Sequence, residues 1–245
     1  MRSDKPQIVI MENPADLARA GARILTSTSK ERITKTGRFV MAISGGSSPG
    51  PMHKLLTKEP YLSEIQWSKT HIFWVDDRCV PENNPFSNYG TARREFLDLV
   101  PIPSGQAHNM PTELSPEEGA RSYQKELIRF FQLKEDECPT FDLIFLGIGP
   151  DGHTASLFPG HRALKERKKL VISVKGGNPY LNRLTMTCSV LNNAGKIVFI
   201  AFGKGKAEIL KSVFKQGEKS LPAQIVHPIS GELIWLLDRE AASSL

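Results

Sequence analysis

Short apolar runs recur along the chain and predict β-strands. These runs are rich in Val, Ile and Phe, and most are apolar throughout rather than alternating with polar residues. An unbroken apolar run is typical of a strand that is covered on both faces of its sheet. The predicted strands span residues 7–11, 38–43, 71–75, 141–148, 170–174, 183–188, 196–202 and 233–237.

Helical signals lie between several of these runs. Asn13 followed by Pro14 combines a capping residue with a proline suited to the first helical position. The stretch from Ser115 to Glu118 has the capping-box pattern, and a further helix is predicted to begin near Lys204. Apolar residues follow each of these signals at helical spacing, which supports the three helices.

The alternation of strands and helices predicts the fold class. It indicates an α/β fold in which a doubly wound, mostly parallel sheet carries helices on both faces. No repeat, low-complexity tract or convincing linker interrupts the pattern, so residues 1–245 are expected to form a single domain. Because ligands of such folds bind outside the carboxyl ends of the strands, we expect chemistry in the loops that follow them.

Composition narrows the class of protein. The 245 residues are 40% hydrophobic and 24% charged, as in an ordinary soluble protein with a full core. The first residues are too polar for a secretory signal, and no apolar run approaches the roughly 18 residues of a membrane span. We therefore expect a cytoplasmic protein with no membrane partner.

The net charge of +6 has two interpretations. Lys and Arg are scattered, with the densest cluster at Lys165–Lys169, which favours a solvated basic face over a nucleic-acid interface. A mild positive field would also attract a small anionic substrate. We therefore expect a small-molecule ligand and no nucleic-acid partner, and a monomer is the expected oligomeric state.

The cysteines and histidines argue against a metal site. Cys79, Cys138 and Cys188 lie far apart and form no CxxC pair, which predicts free thiols in a reducing compartment. The histidines form no HxxxH or HxH pair, so no bound metal is expected.

The first candidate loop is SGGSSP, residues 44–49, which we call the glycine loop. It follows a predicted strand, and Gly45 and Gly46 would let the backbone approach a ligand closely. Hydroxyl groups, including that of Ser47, and backbone N–H groups near a helix start favour an anion. The loop matches neither a nucleotide P-loop nor a dinucleotide fingerprint, so it indicates a small-molecule phosphate or a tight turn without a ligand.

The second candidate is Asp76, Asp77 and Arg78, which follow another predicted strand. A local surface salt bridge is the simplest explanation of such a triplet. Its position at the carboxyl end of a strand favours a functional role instead, because a guanidinium group can bind phosphate or carboxylate through two parallel hydrogen bonds.

The third candidate is GIGPDGHT, residues 147–154, which we call the histidine loop. An imidazole can take or give a proton near neutral pH, and Asp151 stands two residues from His153, close enough to orient it. A histidine on a loop is often only a surface residue, but the surrounding glycines favour a catalytic site. Arg183 and Lys206 are further candidates for binding an anion, with Lys204 as an alternative to Lys206.

Together these segments resemble a known family. SGGSSP, VDDRCVP with SNYG, and LGIGPDGHTASLFPG are similar to segments of the 6-phosphogluconolactonases of the pentose phosphate pathway. The resemblance covers nearly the whole chain, and its DGHTASLFPG element is highly specific. The glucosamine-6-phosphate deaminases share the fold and carry a similar GxGxDGH element.

The resemblance implies hydrolysis of 6-phosphoglucono-δ-lactone to 6-phosphogluconate without a metal or organic cofactor. The histidine of DGH, regarded as the general base in that family, corresponds to His153. The resemblance assigns phosphate binding to a set of glycine-loop and basic residues. This set is Gly45, Gly46, Ser47 and Arg78, with Arg183 and Lys206.

One position departs from the lactonase pattern, and one separates the lactonases from the deaminases. Asp77 stands where the family usually has a glutamate, so the role of this shorter side chain is left open. The deaminases typically carry a glutamate five residues after the histidine of DGH, where this chain has Phe158. Because a phenyl ring cannot relay protons, the sequence favours a lactonase. A sugar-phosphate sensor without catalysis is a further alternative.

Overall fold

Ten β-strands build the framework of the part of the chain that the structure describes. The structure is a computed structural model that describes residues 6–46, 48–215 and 220–245. The strands are β1 (Gln7–Met11), β2 (Phe39–Ile43), β3 (Thr70–Trp74), β4 (Asp76–Arg78), β5 (Ala107–His108), β6 (Leu143–Leu146), β7 (Val171–Gly176), β8 (Leu181–Met186), β9 (Lys196–Ala201) and β10 (Glu232–Asp238).

Helices connect most of these strands. Within the described residues they are α1 (Pro14–Thr36), α2 (Gly50–Leu56), α3 (Tyr61–Glu64), α4 (Asn88–Glu95), α5 (Pro116–Phe131), α6 (Cys188–Asn192), α7 (Ala207–Phe214) and α8 (Pro222–Ile225). Short 3₁₀ turns occur as well, one of which, Lys204–Lys206, leads into α7.

Seven strands form one sheet in which all neighbours are parallel. Their order is β1-β10-β9-β6-β2-β3-β5. Every residue of β2 and β6 is buried, as is every residue of β9 after its first. Because successive side chains of a strand point to opposite faces, the centre of the sheet is covered on both sides. The predicted α/β fold class is confirmed.

Helix α1 begins and ends as local chemistry requires. The Asn13 side chain accepts hydrogen bonds from the backbone N–H groups of Ala15 and Asp16, both at 3.0 Å. Gly37 ends the helix with a φ of 81°, a left-handed conformation that glycine adopts without strain. The predicted start of α1 is therefore confirmed.

The predicted capping box of α5 is only partly formed. The helix begins at Pro116 as predicted, but the Ser115 hydroxyl accepts no backbone hydrogen bond. It donates instead to the Glu118 carboxylate at 2.6 Å. Ser115 and Glu118 therefore pair as a capping box requires, but through their side chains alone.

A second, antiparallel sheet lies beside the first and has the order β4-β8-β7. The sequence correctly predicted strands at β7 and β8, and the prediction of a mostly parallel sheet left their pairing open. Only residues 177–180 separate the two strands, whereas a parallel crossover needs a dozen residues or more. The Asp76–Arg78 triplet, expected in a loop, is itself a short strand of this sheet.

Candidate active site

Four neighbouring strands of the parallel sheet end at one cleft. The strands β9, β6, β2 and β3 are adjacent, and the segments that follow them supply Lys206, the histidine loop, the glycine loop and Arg78. The cleft has a volume of about 140 Å³. Its lining consists of Ser44, Gly45, Gly46, Ser48, Asp76, Arg78, Asn88, Gly147, Ile148, Gly149, His153, Thr154, Ala155 and Lys206.

Hydrogen bonds hold the glycine loop and the histidine loop together. The backbone N–H of Gly147 donates to the Ser44 hydroxyl at 3.1 Å, and the Thr154 hydroxyl donates to the Gly147 carbonyl at 2.9 Å. Ser44 and Thr154 are both buried. The first bond joins the two loops, and the second closes the histidine loop on itself, so that together they form one wall of the cleft.

His153 and Asp151 form a pair within the histidine loop. The imidazole Nδ1 lies 2.5 Å from Asp151 Oδ1, and the backbone N–H of His153 donates to the same oxygen at 3.1 Å. Partial burial raises the pKa of Asp151, but the hydrogen bonds from His153 outweigh it and hold the pKa below its usual value. An ionised Asp151 keeps a proton on Nδ1 and leaves Nε2 with its lone pair.

The imidazole is also confined from two other sides. A Cβ atom at Gly149 would collide with the His153 ring, so the backbone there must lack a side chain. On another side, the Phe158 ring packs against the imidazole with 5.0 Å between ring centroids. These contacts restrict the orientation of the histidine.

The glycine loop lies against the side chain of Asn88. A Cβ atom at Gly45 would collide with the Asn88 amide, which explains why glycine is needed at this position. Gly46 is exposed and lines the cleft beside it. Ser47, the third residue of this loop predicted to bind phosphate, lies outside the described residues.

Arg78 reaches the cleft from β4. Its Nη1 donates to the Asn88 side-chain oxygen and to the Phe86 carbonyl, the latter at 3.2 Å. Its buried Nε finds no hydrogen-bond partner among the described residues. Arg78 also forms no salt bridge with a described carboxylate, so its charge is available to an anion in the cleft.

Asp76 and Asp77 have different surroundings although they are adjacent. Asp77 is 1% exposed and accepts hydrogen bonds from the backbone N–H groups of Arg78, Asn88 and Tyr89 at 2.7, 2.7 and 2.9 Å. Burial raises the pKa of Asp77 to about 6, although these three donors act against the rise. Asp77 therefore holds the start of α4, while Asp76 lines the cleft.

Lys206, and not Lys204, lines the cleft. Its Nζ donates to the Ile148 carbonyl of the histidine loop at 2.6 Å. Burial lowers the pKa of Lys206, and the charge of Asp151 opposes this effect. Lys204 is exposed. The structure thus separates two residues that the sequence left as alternatives.

Arg183 is not brought into the lining of the cleft. It lies opposite Arg78 in the antiparallel sheet, is 3% exposed, and donates from Nε to the Gly176 carbonyl at 2.9 Å. Its guanidinium carbon lies 5.6 Å from the centroid of the Phe158 ring. Burial and the charge of Arg78 lower the pKa of Arg183.

Asn88 is a cleft residue to which reasoning from the sequence assigned no role. It contacts the glycine loop and Arg78, and its amide donates to the Asp76 carbonyl at 2.8 Å. The signal was present, because Asn88 belongs to the SNYG segment that follows the DDR triplet. The segment resembles a family motif, but the resemblance alone does not indicate a role for the Asn88 side chain.

Two negative findings concern the described residues alone. Residues 6–46, 48–215 and 220–245 contain no group of three or more His, Cys, Asp or Glu side chains that could hold a metal ion. No helix in the same segments has the length and apolar character needed to cross a membrane.

The fold and the cleft define an α/β protein with a candidate site for a small anionic molecule at the carboxyl edge of its parallel sheet. Comparison with known proteins agrees with this class. A family model described as glucosamine-6-phosphate isomerases/6-phosphogluconolactonase matches residues 12–235. The chain belongs to this family.

Individual relatives extend over nearly the whole chain. A 6-phosphogluconolactonase from Synechocystis sp. is 38% identical over 244 residues, which are 98% of each protein. The 6-phosphogluconolactonase 3, chloroplastic, of Arabidopsis thaliana is 40% identical and covers 94% of this chain and 71% of the relative. The structure of 6-phosphogluconolactonase from Trypanosoma brucei matches with a TM-score of 0.88 at 28% identity, covering 99% of this chain and all (100%) of that one.

Proposed function

We propose that this protein hydrolyses 6-phosphoglucono-δ-lactone to 6-phosphogluconate, the reaction of the pentose phosphate pathway that its relatives' names describe. The observation that carries the proposal is the His153–Asp151 pair, which shares one cleft with the cations of Arg78 and Lys206. A proton acceptor beside an anion site suits a substrate that carries both a lactone ester bond and a phosphate group.

In the proposed mechanism, His153 acts as the general base. Its Nε2 takes a proton from a water molecule while the water oxygen bonds to C1 of the lactone. The bond between C1 and the ring oxygen then breaks, and the imidazolium returns the proton to the departing oxygen. Asp151 orients the imidazole and stabilises its charged form.

The phosphate group supplies the orientation that this step requires. Arg78 and Lys206 carry positive charge into the cleft, and the exposed backbone of Gly46 lies beside them. A phosphate held there would fix the far end of the substrate, which lowers the entropic cost of bringing C1 to the imidazole. Gly45, Gly46, Ser47, Arg78 and Lys206 are the proposed phosphate ligands, with Arg183 as the candidate outside the cleft lining.

Deaminase chemistry fits this cleft less well. Phe158 occupies the position where the deaminases carry a glutamate, and its ring packs on His153. No carboxylate can therefore act from that position. A sensor that binds the sugar phosphate without catalysis is the other alternative, and an assay of lactone hydrolysis distinguishes it.

The proposal includes a cytoplasmic monomer that requires no metal or organic cofactor and binds no nucleic acid. The scattered basic residues and the three free thiols support it. The name of the Arabidopsis relative assigns that protein to the chloroplast.

A coupled assay with freshly generated lactone tests the activity, with the spontaneous rate subtracted. Wild type should accelerate hydrolysis and release no ammonia from glucosamine 6-phosphate. His153→Ala should fold normally and lose about 10²–10⁴-fold in kcat, the usual contribution of a positioned acid–base group.

His227→Ala serves as a matched control, because His227 lies outside the cleft. It should retain wild-type kcat. Full activity of His153→Ala would contradict the base assignment. Binding of 6-phosphogluconate by wild type without acceleration of hydrolysis would favour the sensor.

A further inference from the structure

We propose that Asp76 accepts a hydrogen bond from a ring hydroxyl of the substrate and so makes the enzyme selective for a hydroxylated lactone. This inference rests on the proposed function and deepens it. It assigns a separate role to each of the two adjacent aspartates, which the sequence could not do.

The hydrogen-bonding capacity of Asp76 is largely unused. Its side chain is 4% exposed and accepts one short hydrogen bond, from the Ser156 hydroxyl at 2.7 Å. The Asn88 amide approaches its other oxygen only at 3.4 Å. An ionised carboxylate can accept about four hydrogen bonds, so at least two acceptor positions remain open.

Asp77 provides the internal comparison. It is equally buried, yet the backbone N–H groups at the start of α4 occupy its two oxygens. Adjacent side chains of a strand point to opposite sides, so only Asp76 faces the cleft. Among the described residues Asp76 forms no salt bridge, which leaves a buried charge without a direct counter-ion.

The chemistry of the cleft restricts what Asp76 can bind. A carboxylate repels phosphate, and it cannot donate a hydrogen bond to the carbonyl oxygen of the lactone while it is ionised. The phosphate on C6 is assigned to the cations and C1 to His153. The groups of the substrate that remain are the hydroxyls on C2, C3 and C4, which are hydrogen-bond donors.

Asp76 is also held rigidly enough to select among hydroxyl groups. Ser156, its hydrogen-bond donor, is fully buried, and the Ser156 backbone N–H donates to the Thr185 hydroxyl of β8 at 3.3 Å. The antiparallel sheet therefore fixes the position of the Asp76 carboxylate through Ser156. A fixed acceptor discriminates well, because a substrate that lacks the donor leaves the buried charge unpaired.

The test compares the parent lactone with its 2-deoxy, 3-deoxy and 4-deoxy analogues, each generated from the corresponding deoxyglucose 6-phosphate. In wild type, kcat/KM should fall about 10- to 100-fold for at least one analogue, as expected for a lost hydrogen bond to a charged group. In Asp76→Asn the same analogue should differ from the parent only a few-fold, because a neutral acceptor contributes less.

Asp77→Asn is the matched control, and thermal unfolding of each variant monitors folding. The Asp77→Asn variant should discriminate between the parent lactone and its deoxy analogues as wild type does, even if the variant is less stable. Asp76→Ser replaces Asp76→Asn if the latter does not fold. The inference is overturned if wild type treats all three analogues like the parent, if discrimination persists without the carboxylate, or if Asp77→Asn abolishes it equally.

These outcomes are distinct from failure of the proposed function. That proposal fails if wild type does not accelerate hydrolysis of the parent lactone at all. An active wild type that ignores the deoxy positions overturns only the role of Asp76.

Discussion

At the scale of single residues, the positions of glycine and charge along the sequence predicted most of the cleft. Gly45, Gly46, Arg78, His153 and Lys206 all line it, because each follows a parallel strand and those four strands are neighbours. Their chemical roles remain predictions. The fold class predicts that ligands bind beyond the carboxyl ends of such strands, whereas the strand order that makes these four strands neighbours is known only from the structure.

The remaining site residues could not be predicted in the same way. The SNYG segment marks Asn88 as a candidate, but its contacts with Arg78 and Asp76 are set by the fold and not by the neighbouring sequence. Arg183 follows the general pattern of a basic residue near a strand, yet its guanidinium group is used to hold a hairpin turn. Burial and hydrogen-bond partners decide whether a basic or polar residue lines the cleft or has a structural role, and neither can be inferred from one sequence.

Arg78 should contribute to affinity for the phosphate rather than to the chemical step. We expect Arg78→Ala to raise KM for 6-phosphoglucono-δ-lactone about 10- to 100-fold, because a charge-assisted contact is lost. KM for unphosphorylated glucono-δ-lactone should change little. Steady-state kinetics on both lactones measure the difference.

Arg183→Gln, measured in the same way, separates the two arginines. A similar, phosphate-specific rise in KM would support the role predicted for Arg183 from the sequence. Equal effects of Arg78→Ala on both lactones would contradict the assignment of phosphate binding to Arg78.

At the scale of elements, the sequence located eight of the ten strands, but it could not assign them to sheets. The two that were missed, β4 and β5, have three and two residues, too few for a periodic pattern to develop. The antiparallel pairing of β7 with β8 could have been inferred, because their connection of residues 177–180 is too short for a crossover. The pairing of β4 with β8 is set by tertiary contacts alone.

A single hydroxyl joins helix α5 to the end of the parallel sheet. The Tyr123 side chain is fully buried, and its oxygen accepts a hydrogen bond from the Trp74 backbone N–H at 3.0 Å. The same hydroxyl lies 3.0 Å from the carbonyl oxygen of His108, to which it can donate. Tyr123 thus satisfies backbone groups where β3 ends and β5 leaves the sheet.

Tyr123→Phe should lower the free energy of unfolding by about 1–3 kcal/mol, because the Trp74 N–H is left buried without an acceptor. Urea unfolding monitored by circular dichroism measures the change. Tyr180→Phe is the matched control, since Tyr180 is 68% exposed, and it should have little effect. Equal stability of the two variants would show that the hydroxyl of Tyr123 has no special role.

At the scale of the whole molecule, burial of Asp77 should make stability depend on pH. Burial raises its pKa from 3.8 to about 6 in the folded protein. The folded state therefore keeps a proton that the unfolded state loses, so folding is favoured at low pH and this contribution disappears as the pH rises through about 6. This increase of about two units in the pKa corresponds to about 3 kcal/mol in the free energy of unfolding.

We expect the difference in unfolding free energy between wild type and Asp77→Asn to shrink by up to about 3 kcal/mol between pH 4 and pH 7. Asn cannot titrate, and groups common to both proteins cancel in the difference. Urea titrations across this range test the prediction. Two curves that run parallel would mean that Asp77 titrates alike in the folded and unfolded states.

The order of the strands also has a consequence for biosynthesis. Within the described parts of the chain β1 pairs with β10 alone, and β10 begins only at Glu232. A ribosome that has made β1 must therefore add more than two hundred further residues before that strand has a neighbour. This edge of the parallel sheet therefore forms only after β10 has been synthesised, long after β1.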